Sequence, residues 1–130
     1  MEIPSIPQRQ RVIDQLRQDA IITPGLPEDV LDVLSTHEIR HEDTFEFSGV
    51  WEPGYIGIGN GNPGGRMNWD AAGNLNKPEL VDSFFHEVQH GRDPRKTIVD
   101  HPSTGATPEF QSQVDELKNI FNQHWGVKWK

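Results

Sequence analysis

Two stretches of this sequence carry the pattern His-Glu-x-x-His: His37-Glu38-Ile39-Arg40-His41 and His86-Glu87-Val88-Gln89-His90. Residues four apart on an α-helix share a face, so a helical copy brings both imidazoles to one metal ion. Neutral imidazole nitrogens suit zinc, Zn2+. The glutamate next to the first histidine is aimed at a water molecule on that ion. It can take the water's proton while zinc polarises a scissile carbonyl, which is the chemistry of a metallopeptidase.

The second copy is the stronger candidate. A metal-binding helix must pack its other face on the core, and Phe84, Phe85 and Val88 supply that face. The first copy has Arg40 inside it and is followed by Glu42 and Asp43. It runs straight into the strand-like Thr44–Phe47, and in an extended segment two histidines four apart cannot easily share an ion. His37 and His41 are therefore expected to be solvated surface histidines.

Catalytic zinc usually takes three protein ligands. On a helical wheel of the last predicted helix, Phe110, Val114, Leu117 and Phe121 mark the core, and Asp115 falls on the far side. Glu109 and Glu116 lie at the border of the core face. Glu109, in the first turn, is the preferred third ligand, with Glu116, His101 and Asp100 as the alternatives; its plain alternative is a carboxylate complementing the helix dipole. Asp93 is expected either to orient His90 or to cap the helix exit. His101 could also reach the site as an oxyanion donor. His124 is expected in the core, and Tyr55 as a surface or packing aromatic.

These residues need a scaffold. A first helix is expected over Pro7–Ala20 with Val12, Ile13 and Leu16 as its apolar stripe, and a second from Pro27 that buries Val30, Leu31 and Leu34. Strand-like alternation follows at Thr44–Phe47, at Tyr55–Ile58 and at Arg66–Asp70, separated by the Gly/Pro-rich loop Asn60–Gly65. That loop has no lysine or Ser/Thr of a phosphate loop and reads as a loop beside the cleft. The motif helix begins near Asn76–Pro78 and ends before Pro94, with Leu80, Val81, Phe84, Phe85 and Val88 inside. The last helix starts with Thr107 as cap and Pro108 in the first turn, and Gly126 ends it. Trp125 and Trp129 are expected to close the core.

The order of elements predicts an α+β fold in one domain over residues 1–130. An apolar fraction of 33% implies a modest core with many loops. The net charge of −8 argues against non-specific binding to nucleic acid or an anionic membrane. No apolar run approaches membrane-spanning length. With no cysteine in the chain, disulfides and a Cys-ligated zinc are excluded. The first residues lack the basic and apolar regions of a signal peptide. The expected settings are intracellular, exported without a cleaved signal, or cut from a longer chain.

The segment FFHEVQHGRD, Phe84–Asp93, resembles the active-site helix of the zincin metallopeptidases, and the downstream TPEF resembles the glutamate-bearing helix of their gluzincin branch. The resemblance implies His86, His90 and Glu109 as zinc ligands and Glu87 as general base. Arg92 departs from the apolar residue many zincins have at that position. More loosely, TPGLPEDVLDVL, short strands and MNWD before the motif are similar to small bacterial effector and polymorphic-toxin metallopeptidases. That likeness implies a compact zincin-like domain, a protein or peptide substrate, a cognate immunity protein as a further partner, and delivery into a target cell. By the same analogy Arg66–Trp69 would bind substrate backbone by strand addition. The alternatives are a zincin-like binding module without activity, an accidental motif in an interaction domain, and an intracellular regulatory peptidase.

Overall fold

The computed structural model describes residues 5–92 and 107–130. The chain forms helices α1 (Pro7–Ile21) and α2 (Glu28–Thr36), strands β1 (Glu38–His41), β2 (Gly49–Glu52) and β3 (Tyr55–Ile58), then helices α3 (Lys77–Arg92) and α4 (Pro108–Trp125). It is an α+β fold. The sheet has the order β1-β3-β2, with β1 parallel and β2 antiparallel to the central β3.

The helix boundaries follow local chemistry. Proline opens α1 and α4, where a missing N–H costs nothing. The Thr107 hydroxyl accepts from the Phe110 N–H, one of the donors left over at a helix start. Every apolar residue assigned to the interior faces of α3 and α4 is buried, together with Ile13 and Leu16 of α1 and Val30 and Leu34 of α2. Val12 and Leu31 are only half-buried at the core margin. α3 packs against α2, α4, β2 and β3, while α1 covers β1.

The strands differ from the expectation. Thr44–Phe47 is not a strand: the Thr44 N–H turns back to the Glu42 carbonyl, and the Phe47 carbonyl takes the Gly61 N–H. The strand lies just before it, in the first His-Glu-x-x-His copy, where Ile39 and His41 point inward and pair with Ile56 and Ile58. Arg66–Asp70 forms only isolated bridges, Gly61 with Met67 and Trp69 with Leu75. Its centre is fixed instead by the buried Asn68, whose amide donates to the Ser48 and Gly59 carbonyls and accepts from the Ser83 hydroxyl. Arg66–Trp69 is therefore not a strand of the sheet, whose edge against α3 is β2.

His41 is not a solvated histidine; it is 1% exposed. Its Nδ1 accepts the Ile6 N–H at 3.2 Å, so its Nε2 carries the proton and donates to Asn60 Oδ1 at 2.8 Å. The same Asn60 oxygen takes the Arg9 guanidinium, and the Asn60 amide donates to Asp43. His37 is half-buried, and its Nε2 accepts the Trp51 indole N–H at 3.1 Å. His124 is exposed rather than in the core, because the inward stripe of α4 passes through Phe121 and on to Trp125. Tyr55 is half-buried, and burial together with the Glu42 carboxylate pushes its phenol up.

The C-terminal turn locks onto α1. Trp129 is buried and donates its indole N–H to Asp19 Oδ2 at 2.8 Å, while Lys128 reaches the same carboxylate at 2.7 Å. Trp125 donates to Thr23 Oγ1 and packs against the core edge. Asp19 is itself buried, which opposes its charge, but Lys128, Trp129 and Gln15 outweigh that and hold its carboxyl below the usual range. Asp19→Asn should lower the unfolding free energy in urea by about 1.5–3 kcal/mol, the range for a hydrogen bond to a charged group.

Burial lowers the pKa values of His37 and His41, so the folded chain favours both as neutral rings. Below about pH 6.5 the unfolded chain binds protons that the folded chain refuses, so stability falls as pH drops. Urea midpoints measured from pH 7.5 to 5 should fall in wild type, and fall less steeply in His41→Gln.

Candidate metal centre

The motif helix is enclosed on most sides. Besides its apolar stripe, α3 buries Ser83, Glu87, Gln89 and His90. His86 and His90 lie one turn apart, and their Nε2 atoms are 3.2 Å from each other. Glu87 Oε2 is 3.9 Å from His86 Nε2. The three side chains offer donors within 4.8 Å of one another, and among the described residues this is the one such group of three.

The spacing suits a metal. Two ligands of a tetrahedral zinc at about 2.05 Å stand about 3.3 Å apart, close to the separation of the two imidazole nitrogens. The donor set is therefore one that can hold a metal ion. Without metal, the same pair can share an N–H···N hydrogen bond with one ring as donor.

Two neighbours fix these side chains. Phe110 of α4 packs against both imidazoles, with ring centroids 4.8 Å from His86 and 4.5 Å from His90. Behind Glu87 lies β2. A Cβ added at Gly49 would stand 2.8 Å from both Cγ and Oε2 of Glu87, so the carboxylate rests directly on strand backbone. Burial there raises the Glu87 carboxyl to about 8. The same low-dielectric surroundings would strengthen the field of any cation held beside it.

Arg92 has a packing role at the helix end. It donates to Asp29 of α2 at 3.1 Å and to Gln89 Oε1 at 2.9 Å, and the Gln89 amide donates to Gln113 of α4 at 2.7 Å. This chain of polar contacts joins three helices beside His90.

Glu109 stands one residue before Phe110 on α4 and is exposed. Its carboxylate is not part of the cluster of His86, Glu87 and His90. Glu116 is also exposed and lies about 10 Å farther along the helix axis than Glu109. Helix position thus favours Glu109 among the two carboxylates. Asp93, Asp100 and His101 lie outside the described residues. The first motif copy forms no equivalent group, because its histidines sit on a strand and each bonds elsewhere.

Sequence reasoning missed Gly49, Gly91 and Trp51 as neighbours of the motif, and read Phe110 only as core. The glycines are single small residues in short segments, with no periodic signal to mark them. Comparison of the chain with family models, with curated proteins and with solved structures finds no match.

Gly49→Ala would drive a methyl into the buried Glu87 side chain. We expect a loss of about 1–3 kcal/mol of stability from overpacking, relieved in Gly49→Ala/Glu87→Ala, where the obstructing carboxylate is gone. Thermal melts of the two single variants and the double variant measure this coupling.

Proposed function

We propose that the chain is a zinc-dependent endopeptidase that hydrolyses a peptide bond in a partner protein. The observation that carries the reading is the convergence of two imidazole nitrogens 3.2 Å apart with a buried carboxylate on one helix. His86 and His90 would hold the ion, with Glu109 as the proposed third ligand. Bound zinc would supply a Lewis acid that polarises the scissile carbonyl and makes water more acidic. With a cation beside it favouring the charged carboxylate, Glu87 would take the proton from the attacking water and return it to the leaving amine.

The position of β2 supports a peptide substrate. It is an edge strand, and among the described residues no strand pairs with its outer side. Its Gly49 lies against Glu87, so an extended peptide added along this edge would bring its backbone to the general base. The acidic net charge, −8, speaks against a nucleic-acid substrate. Among the described residues, no helix is long and apolar enough to cross a membrane. A bacterial effector or toxin role, with an immunity protein as second partner, is the setting we propose from the family resemblance.

A binding module that has kept the metal site but not the activity is the second reading. The buried Glu87 counts against it, because metal binding by two histidines does not need that carboxylate in place.

Elemental analysis and cleavage of a peptide library test these readings together. Wild type should carry about one zinc per chain, by the stoichiometry of a mononuclear site. His86→Ala and His90→Ala should lose it, and Glu109→Ala should hold it more weakly. Glu87→Gln should keep zinc but lose about 10²–10⁴-fold in cleavage rate. Zinc without cleavage of any library member would favour the binding module, and no zinc after reconstitution would end the metallopeptidase reading.

A further inference from the structure

The first His-Glu-x-x-His copy has no metal-binding geometry, yet one of its histidines is tied to the motif helix through Trp51. The indole Nε1 of Trp51 is 3.1 Å from His37 Nε2. An indole N–H can only donate, so His37 Nε2 is an acceptor and its Nδ1 carries the proton. That Nδ1 is 3.0 Å from Thr36 Oγ1, and the Thr36 hydroxyl donates to the Asp32 carbonyl at 2.7 Å. The indole is thereby anchored, through one fixed tautomer, to the last turn of α2.

On its other side Trp51 meets α3. A Cβ added at Gly91 would lie 3.3 Å from the Trp51 Nε1 and 2.9 Å from Val33 Cγ1. Gly91 directly follows His90. Gly49 and Trp51 are two residues apart on one face of β2, a spacing of about 6.8 Å. Glu87 and Gly91 are four apart on one face of α3, about 6 Å along its axis. Strand and helix therefore meet in register at two points, Gly49 with Glu87 and Trp51 with Gly91.

We propose that Trp51, held in place by His37, is a positioning residue that sets the seat of α3 on β2 and so the placement of His86, Glu87 and His90. This rests on the metal reading for its function, but the seating itself is a property of the metal-free chain. Glycine at 91 allows the close approach, Val33 and the indole together limit it, and the hydrogen bond to His37 keeps the indole from rotating away.

The test uses the full chain as wild type, Trp51→Phe, His37→Ala and His37→Gln. Zinc affinity is read by competition titration, ligand geometry by the absorption spectrum of the cobalt(II) form, and helix seating by the NMR ring shifts of His86 and His90 without metal. Trp51→Phe keeps an aromatic wedge but loses the N–H. It and His37→Ala should weaken zinc binding about 10- to 100-fold, the range for residues that orient metal ligands, and both should move the cobalt spectrum and the ring shifts. His37→Gln, which restores an acceptor, should recover most of each signal. Unchanged affinity, spectrum and ring shifts in a cooperatively folded Trp51→Phe would overturn the proposal, even if its melting temperature fell. Should His37→Ala fail to fold, Trp51→Phe decides alone. Should wild type take up no zinc, the peptidase reading fails, and the metal-free ring shifts still decide the positioning role.

Discussion

The arrangement depends on how closely one helix lies on one short strand. α3 meets β2 at two points where one partner is glycine: Gly49 of the strand under Glu87, and Gly91 of the helix beside Trp51. The missing side chain at Gly49 lets the Glu87 carboxylate rest on strand backbone while it stands beside the His86 imidazole. The apolar stripe of α3 on the opposite side supplies the force that holds this contact closed, with Phe84, Phe85 and Val88 each fully buried.

Such a site places polar groups where water compensates them poorly, and the surrounding structure answers several of them. Gln89 is met by Arg92 and Gln113, Asn68 by Ser83 and two carbonyls, His41 by Ile6 and Asn60. These contacts come from α3, α4 and the loops rather than from the sheet alone. A domain of this size with one-third apolar residues has little core to spare, so satisfied polar networks take over part of the task of specifying the arrangement.

The helices were legible because each has a period and a punctuation mark. Proline at 7, 27 and 108 and the stripe through Phe110, Val114, Leu117 and Phe121 predict elements that the structure contains. The central strand Tyr55–Ile58 was equally readable from its alternation. The edge strands were not. Gly-Val-Trp-Glu has no clean alternation, since its inward positions are a glycine chosen for contact and a tryptophan chosen for a hydrogen bond. In β1 the inward residues are Ile39 and His41, and a histidine reads as polar until its buried partners are known. Thr44–Phe47 misled because its two phenylalanines alternate, while its backbone groups go to turn and loop partners. The motif residues themselves were visible at once from spacing, whereas the residues that press on them come from elsewhere in the chain and carry no local signature.

The lock between Asp19 and Trp129 joins positions 110 residues apart. Contacts of such long separation form late, because the intervening chain must first give up its freedom. Until the last turn is in place, α1 has no lid over its buried carboxylate, and the apolar surface that Trp129 covers faces water. During synthesis the helices and the hairpin can assemble progressively, but this side of the core must wait for Trp129. This side of the core is therefore open to misassociation until Trp129 docks, a residue far in sequence from the helix it protects.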